Sequence, residues 1–358
     1  MNNLLHPFSK GNFNLKNHIV MAPMTRSRAI DNLPNDLMSI YYAQRSGAGL
    51  IVTEGTSPSV NGLGYCRIPG IFSKEQIEGW KKTTDAVHQN DSKIFVQLMH
   101  TGRVAHEANL PEGGKVVGVS DIKAAGEMYT DVLGMQEHTQ PVALSTEEVY
   151  QVMNEYISGA KNAVEAGFDG VELHAANGYL LEQFLNPNVN NRTDEFGGSV
   201  ENRAKFLIET AQKIADEIGK EKVGIRFSPF STFNDMPTYN EEEVIKTYNY
   251  LAAELNTIGI AYLHLSYSPQ IPESLMNALR ANFEGTIILC NGLTAETAET
   301  ALEEGFADLV AFGRYYIANP DFDQRLEKGT PLNDLDFNTF YTPGAEGFTD
   351  YPFLNSEK

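Results

Sequence analysis

Residues 170–203 read GVELHAANGYLLEQFLNPNVNNRTDEFGGSVENR and contain an apolar strand, a turn, a polar loop and the start of a helix. The apolar run ends at His174, and Asn177 and Tyr179 follow within one turn. His174 and Asn177 are neutral donors three residues apart, and the phenol of Tyr179 follows them. This pattern suits a site that binds an oxygen atom and donates a proton. The alternative is a turn whose polar groups satisfy its own backbone. Because neighbouring strands end in the same way, we favour a functional site.

The same alternation of strand and helix recurs along the chain. Eight short apolar runs rich in β-forming residues cover 18–23, 50–55, 93–100, 170–176, 223–229, 261–266, 286–292 and 309–314. Runs that are apolar on both faces are typical of strands in a parallel sheet. Eight of them with helices between predict the α/β class and a (β/α)8 TIM barrel, with a doubly wound open sheet as the alternative.

Helix boundaries are marked by capping residues. Ser73 with Gln76, and Ser145 with Glu148, have the spacing of a capping box. Further helices are predicted to begin at Ser199, at 241 and at Thr294, and stops are predicted at Gly167, Gly219, Gly259 and Gly305.

Two segments fall outside this alternation. Residues 4–17 contain FSKGNFNL and are predicted to form a small hairpin that closes the barrel floor. Residues 101–144 form a long, Gly-rich loop after the third strand, and such a connection is more often a lid or substrate loop than filler. We expect residues 1–358 to form one domain.

Composition excludes several classes of partner. The net charge of −20 and the lack of a Lys/Arg run argue against nucleic acid and against an anionic membrane surface. Two cysteines, Cys66 and Cys290, exclude a disulfide framework and offer no metal-ligand spacing, so we expect no metal. The amino terminus lacks a signal peptide, so we expect a cytoplasmic protein, either a monomer or a homodimer.

Polar residues follow almost every predicted strand, and in barrels the active site lies at these carboxyl ends. Together they predict a polar-rimmed cofactor pocket. Asn291–Gly292 and Gly313–Arg314 follow strands seven and eight, where barrels often bind a phosphate, although a turn with a surface Arg explains the second pair equally well. The residues are Thr25, Gly55, Gln97, His100, His174, Asn177, Tyr179, Arg226, Asn291, Gly292, Gly313 and Arg314.

The strand ends also lack the sequence motifs of several common enzyme classes. No carboxylate pair, nucleophile elbow or Gly-x-Gly-x-x-Gly fingerprint appears, which argues against glycosidases, hydrolases and Rossmann dehydrogenases. Redox chemistry on a bound organic cofactor is therefore the leading interpretation. A phosphate-binding barrel isomerase would need a Lys or a carboxylate at these ends, and they contain neither. A ligand-binding protein without turnover is a third possibility.

At these residues the chain resembles the old yellow enzyme family of FMN-dependent ene-reductases over nearly its whole length. The members it resembles most are the bacterial N-ethylmaleimide and pentaerythritol tetranitrate reductases, with the plant oxophytodienoate reductases close by. The motifs are APMTRSRA (22–29), VTEGT (52–56), QLMHTGR (97–103), the block from His174 to Arg203, GIRFSP (224–229), VAFGRYYIANPDF (310–322) and GAEGFTDYP (344–352).

The resemblance implies a non-covalently bound FMN, reduced by NADPH or NADH, that reduces the activated C=C bond of unsaturated carbonyl compounds, maleimides or nitro compounds. Hydride would leave FMN N5, His174 and Asn177 would bind the substrate oxygen, and Tyr179 would donate the proton. Tyr65, Met99 and Tyr351 would flank the substrate. The implied cofactor-binding residues are Pro23, Met24, Thr25, Gly55, Gln97, Arg226, Asn291, Gly292, Gly313 and Arg314.

Some positions depart from the family pattern. Met99 stands where several relatives carry a bulky aromatic residue, which affects the expected pocket size. Asn291 replaces a common Gly, although backbone contacts to a phosphate would survive. Thr25 stands where one subgroup of the family carries a Cys, so the chain is not expected to belong to that subgroup. Cys66 and Cys290 are expected to be ordinary small residues rather than redox centres.

Overall fold

A closed barrel of parallel strands forms the centre of the computed structural model, which describes residues 3–11 and 13–354. In their order around the barrel the strands are β10 (Gly170–Ala175), β11 (Val223–Phe227), β12 (Tyr262–Ser266), β13 (Thr286–Cys290), β14 (Leu309–Phe312), β3 (Ile19–Met21), β4 (Leu50–Thr56) and β5 (Lys93–Leu98). The (β/α)8 barrel predicted from the sequence is confirmed.

Helices surround the barrel and bury its outer face in one large apolar core. The predicted capping boxes at Ser73 and Ser145 are both present, and Gly259 ends its helix in the left-handed conformation. The helices of the described residues are α1 (Asp36–Gln44), α2 (Lys74–His88), α3 (Thr146–Glu165), α4 (Leu180–Leu185), α5 (Val200–Ile218), α6 (Glu241–Ile258), α7 (Glu273–Asn282), α8 (Ala295–Glu303), α9 (Arg314–Ala318) and α10 (Phe322–Lys328).

The barrel floor is closed by an antiparallel hairpin of β1 (Phe8–Lys10) and β2 (Phe13–Leu15). The Phe13 ring lies 5.9 Å from that of Phe95 and 6.1 Å from that of Tyr262, both inside the barrel. The hairpin predicted over 4–17 is therefore present, although Asn12 at its turn lies outside the described residues. Apolar side chains fill the barrel interior at this end.

The loop predicted over 101–144 contains four short strands. β7 (Glu127–Thr130) and β8 (Gly134–Glu137) form an antiparallel hairpin, while β6 (Val117–Gly118) pairs in parallel with β9 (Val142–Ala143). None of the helices in residues 3–11 and 13–354 combines the length and apolar character needed to cross a bilayer.

Candidate active site

A cavity of about 760 Å³ opens at the carboxyl ends of the strands. Many of the residues predicted from the sequence meet in its wall, although they come from five different strand ends and the loops that follow them. The predicted residues that line it are Pro23, Thr25, Tyr65, Gln97, Met99, His174, Asn177, Tyr179 and Arg226.

The turn from His174 to Tyr179 depends on two consecutive residues in the left-handed region. Asn177 has φ 58° and Gly178 has φ 79°, a conformation that Asn tolerates and Gly adopts freely. The Asn177 amide donates to Ser228 Oγ at 2.8 Å, and its carbonyl accepts from the Asn234 side chain at 2.7 Å. The backbone is thus fixed from both sides, which leaves the Asn177 side chain in the cavity wall.

The buried carboxyl of Glu182 braces this turn from behind. Its oxygens accept hydrogen bonds from the Gly178 amide at 2.6 Å, from Ser228 Oγ at 2.9 Å and from Tyr248 Oη at 3.2 Å. Burial raises the pKa of Glu182 to about 7, although these three donors pull the pKa down. Glu182 therefore acts on the turn backbone rather than in the cavity.

His174 is a neutral imidazole in the cavity wall. Burial, and then the charge of Arg226, lowers its pKa to about 3. Its Nδ1 is buried and has no hydrogen-bond partner among the described residues. A neutral ring with an unused nitrogen can donate to or accept from a small molecule, but it does not supply a cation at neutral pH.

Tyr179 packs against both His174 and Tyr65. Its ring centroid lies 4.8 Å from that of His174 in an edge-to-face contact, and its hydroxyl donates to the Tyr65 oxygen at 3.2 Å. Burial raises the pKa of Tyr179. The phenol therefore keeps its proton at neutral pH and holds it at the cavity surface.

A buried carboxylate lies beneath the cavity and was missed in the sequence. Glu172 accepts from Gln97 Nε2 at 2.8 Å and Tyr262 Oη at 3.0 Å, and it contacts His264 Nδ1 at 2.8 Å. Glu172 lies inside β10 rather than at its carboxyl end, so the prediction about the strand ends did not consider it. Because both oxygens of Glu172 are engaged, the group orients its neighbours and is not free to act as the base of an isomerase. Its spacing of two residues from His174 in a strand was the available signal.

Arg226 is the buried cation of the site. The register pairs it with His174 on one side and His264 on the other, and its side chain is 5% exposed. Its Nε has no partner among the described residues, and Nη2 donates only to Cys290 Sγ, at 3.7 Å. A buried guanidinium with unused donors suits an acceptor-rich or anionic ligand.

The predicted phosphate cradle lies beside the cavity rather than in its lining. Asn291 and Gly292 both have positive φ, 80° and 68°, and open space surrounds a Cβ built on Gly292. Gly313 precedes α9, and a Cβ there would lie 3.3 Å from the Met24 sulphur. Arg314 is exposed, and its guanidinium lies 6.0 Å from the centre of the Phe337 ring, which does line the cavity.

The position of the Met99 side chain depends on the absence of a side chain at Gly55. A Cβ on Gly55 would lie 2.5 Å from Met99 Sδ, so a side chain at position 55 would displace the thioether. Gly55 itself does not line the cavity, and Met99 does. The absence of a side chain at 55 thus sets where the Met99 side chain stands in the wall.

The carboxyl-terminal segment contributes Tyr341 to the cavity, whereas Tyr351 lies elsewhere. The Tyr351 hydroxyl accepts from the Asp336 amide at 3.2 Å and is absent from the lining. Arg28 Nη2 donates to the Thr339 carbonyl at 2.7 Å, which anchors the segment where Tyr341 reaches the mouth. The segment lines the cavity up to Pro343, and Tyr351 lies beyond that part.

Residues of the β7–β8 hairpin and of the loop after β11 also line the mouth. The hairpin belongs to the loop over 101–144, which was interpreted from the sequence as a lid or substrate loop, but no sequence signal singled out these individual residues. Arg67 forms an ion pair with Asp131 at the hairpin tip, which ties the hairpin to the body of the protein. The lining residues from these segments are Glu127, Met128, Tyr129, Asp131, Met135, Phe233 and Asn234.

A comparison with known protein families shows which family the chain belongs to. The sequence matches the NADH:flavin oxidoreductase / NADH oxidase family over residues 3–333. The chain belongs to this family. The similarity to old yellow enzymes predicted from the sequence is thereby confirmed, and the protein is a flavin-linked oxidoreductase.

Individual relatives resemble the chain over its full length. A putative 12-oxophytodienoate reductase 11 from Oryza sativa subsp. japonica is 40% identical and covers 99% of this chain and 98% of its own. 12-oxophytodienoate reductase 2 from Arabidopsis thaliana is 38% identical, with 99% and 96% covered. The structure of morphinone reductase in complex with tetrahydroNAD superposes with a TM-score of 0.95 at 42% identity, covering 99% and 98%.

Proposed function

We propose that this enzyme is an FMN-dependent ene-reductase. It would use NADPH or NADH to reduce the activated C=C bond of an α,β-unsaturated carbonyl compound, a maleimide or a nitro compound. The observation that carries the proposal is the pairing of His174 with Tyr179. A neutral imidazole and a protonated phenol stand 4.8 Å apart in the wall of one cavity.

The residues of the cavity fit a flavin. Arg226 offers a buried Nε without a partner, Gln97 has its amide held by Glu172, and Asn291–Gly292 leave open backbone beside the cavity. When bound, FMN supplies the hydride that it takes from NADPH or NADH. The residues that would hold it are Pro23, Met24, Thr25, Gly55, Gln97, Arg226, Asn291, Gly292, Gly313 and Arg314.

His174 and Asn177 would bind the substrate oxygen. Both side chains line the cavity, and the Asn177 backbone is held by Ser228 and Asn234. Two neutral donors aimed at one oxygen withdraw charge from a conjugated alkene and stabilise the enolate-like charge that develops during reduction, as in an oxyanion hole. Tyr65 and Met99 would flank the substrate.

Tyr179 would protonate the α-carbon. Its raised pKa means that the proton is present at neutral pH, and an enolate-like carbon is basic enough to accept it. Tyr65 lies within hydrogen-bond distance of the Tyr179 oxygen, so it would stabilise the phenolate that remains.

The relatives support this assignment. The names of the compared proteins are those of reductases of 12-oxophytodienoate and morphinone, and the morphinone reductase structure contains tetrahydroNAD. We extend the reductase activity and the nicotinamide reductant to this chain. We also propose that residues 1–358 form a single FMN-binding domain, a monomer or homodimer without nucleic-acid or membrane partners. Both cysteines are free, which suits the reducing cytoplasm.

Steady-state kinetics with air excluded test the proposal. NADPH and NADH are each mixed with the FMN-loaded enzyme, with and without 2-cyclohexenone. We expect oxidation of the nicotinamide to depend on the enone and to match the cyclohexanone formed, mole for mole. Oxidation that proceeds equally without the enone, or that yields no saturated ketone, would contradict the ene-reductase assignment.

A further inference from the structure

The mouth of the cavity must admit a nicotinamide dinucleotide if the enzyme has the function proposed above. A volume of about 760 Å³ is within the range of a pocket for one drug-sized ligand. FMN and the nicotinamide ring would together occupy it, so the adenosine half of the dinucleotide would remain at the mouth. NADH and NADPH differ only in this half, where NADPH carries an additional phosphate on a ribose 2′-oxygen. The charges at the mouth therefore determine which of the two binds better.

A cation at the mouth would favour NADPH, because an ester phosphate carries a charge of about −1.5 to −2 at neutral pH. Among the described residues that line the cavity, the side chains with a permanent positive charge are Arg67 and Arg226. Arg226 is buried and is assigned above to the flavin. Arg314 is exposed beside the mouth, near Phe337, and is assigned to the FMN phosphate. Arg67 is therefore the remaining candidate in the cavity lining for contact with a 2′-phosphate.

Each of the three guanidinium nitrogens of Arg67 already donates a hydrogen bond within the protein. Nε donates to the Ser27 carbonyl at 2.9 Å, Nη2 donates to the Tyr341 carbonyl at 2.8 Å, and Nη1 donates to the Asp131 carboxylate. The Arg67 side chain is only 11% exposed, so its remaining N–H groups have little access to the mouth. These donors hold the hairpin and the carboxyl-terminal segment and are not available to a phosphate.

The carboxylates around Arg67 make the mouth negative. Asp131 neutralises the guanidinium, and its own side chain is 43% exposed at the tip of the β7–β8 hairpin. Glu127 is exposed at the base of the same hairpin, lines the cavity and forms no ion pair with any of the described residues. His138 adds no cation at neutral pH, because burial lowers its pKa. Two carboxylates against one guanidinium therefore leave an excess of negative charge where the adenosine half would lie.

We propose that Asp131 is a specificity-determining residue that makes the enzyme prefer NADH over NADPH. Asp131 holds the guanidinium of Arg67 in an internal ion pair, and together with Glu127 it repels the additional phosphate of NADPH. NADPH remains a substrate, but a poorer one, because its nicotinamide half is identical to that of NADH. The inference rests on the proposed function, in which a nicotinamide dinucleotide reduces the bound FMN.

The first experiment measures the second-order rate constants for flavin reduction by NADH and by NADPH, in anaerobic stopped flow with the FMN-loaded enzyme. We expect the wild type to react faster with NADH by about tenfold or more, the effect of one charged contact. Asp131→Asn removes the charge but keeps an acceptor for Arg67, whereas Asp131→Ala removes both and releases Nη1. The ratio of the NADH to the NADPH rate constant should therefore fall in Asp131→Asn and fall further, by about tenfold in total, in Asp131→Ala.

Two controls separate this effect from a general loss of charge or of structure. Adding Arg67→Gln to Asp131→Ala removes the released guanidinium and should return the ratio towards the wild-type value. Asp216→Ala removes an exposed carboxylate near the end of α5, shortly before β11 begins, and thus at the opposite end of the barrel. Its ratio should equal that of the wild type. A hairpin that is merely loosened changes both rate constants together and leaves their ratio unaltered.

A second experiment measures binding without turnover. NAD⁺ and NADP⁺ have the same adenosine halves as NADH and NADPH, so they retain the interaction under test. Calorimetric titration of the FMN-loaded, oxidised enzyme gives a dissociation constant for each. We expect NAD⁺ to bind the wild type more tightly than NADP⁺ does, and we expect this difference to shrink in Asp131→Ala.

The possible outcomes separate the two proposals. Protein that stays colourless after incubation with FMN, or whose flavin neither nicotinamide reduces, contradicts the proposed function itself. Flavin that is reduced equally fast by NADH and NADPH, or faster by NADPH, contradicts this inference alone. A ratio that is unaltered in Asp131→Ala, or that falls equally in Asp216→Ala, also overturns the inference, because the preference would then not depend on Asp131.

Discussion

The Tyr179 hydroxyl donates to the oxygen of Tyr65 across 3.2 Å, and the two rings meet nearly at right angles, with an interplanar angle of 86°. The two residues are 114 positions apart, on the loops after β4 and β10. A phenol that is buried, protonated and hydrogen-bonded in this way can give up its proton to a carbon in the cavity while a partner stabilises the remaining oxygen.

Tyr179→Phe should slow reduction of the alkene by about 10²- to 10⁴-fold, the range typical of a positioned general acid. Reduction of the flavin by NADPH should change little, because that step needs no proton from Tyr179. Stopped-flow measurement of the two half-reactions separates them. Tyr65→Phe is the comparison and should have the smaller effect, since it keeps the Tyr179 proton. Equal losses in both half-reactions would refute the role of Tyr179.

His174→Ala should weaken binding of an enone by about 1–3 kcal/mol, the cost of leaving a polar group without its partner. Because the His174 pKa is about 3, the ring is neutral at pH of about 5.5 and also at about 8. The loss of affinity should therefore be the same at both pH values, as measured by flavin absorbance titration. A loss that grows as the pH falls would show that the ring binds as an imidazolium.

Glu182→Gln should alter how stability depends on pH. In the folded protein the Glu182 pKa is raised to about 7 from an ordinary 4.5, so the folded state binds the extra proton between these values. The wild type therefore loses stability as the pH rises through this window, by up to about 3 kcal/mol, and the variant lacks that loss.

Chemical denaturation at pH of about 4.5 and about 7.5 measures this effect. The free energy of unfolding of Glu182→Gln, relative to wild type, should increase with pH. At low pH the variant should be the less stable of the two, because its amide nitrogen cannot accept all the hydrogen bonds made to Glu182. Glu303→Gln, on the exposed side of α8, is the control for charge loss without burial. A constant difference at both pH values would contradict the raised pKa.

Gly178→Ala should destabilise the protein more than Gly198→Ala. Both glycines have positive φ, 79° and 84°, so both substitutions carry a backbone cost of about 1–2 kcal/mol. Only at Gly178 would the new Cβ clash, at 2.9 Å from the Asn234 Cβ and Met236 Cγ, whereas Gly198 has open space. Midpoints of denaturant unfolding should rank the two variants in this order. Equal losses would show that the turn tolerates movement of Asn234.

The fold could be predicted because each strand is apolar on both faces and each long helix carries local caps. Ser73 and Ser145 form their capping boxes within four residues, so no tertiary contact is needed to recognise them. Helix α7, by contrast, was not predicted, since Pro272 precedes it and no side chain caps its start.

The site was predictable only where it follows a strand directly. His174, Asn177, Tyr179 and Arg226 stand at strand ends, and topology brings such ends together. Tyr341 reaches the cavity only because Arg28 holds a distant backbone segment in place, a contact that no local pattern encodes. Glu172 was overlooked because it lies within a strand, where its three partners come from other strands.

The measurement that tests the account most directly is an absorbance spectrum of the FMN-loaded protein, followed anaerobically through addition of NADPH and then of 2-cyclohexenone. We predict that the flavin bands bleach with the nicotinamide and return in full with the enone. Bands that bleach but do not return would contradict the assigned substrate class, and a protein that never acquires flavin bands would contradict the proposed cofactor and the chemistry built on it.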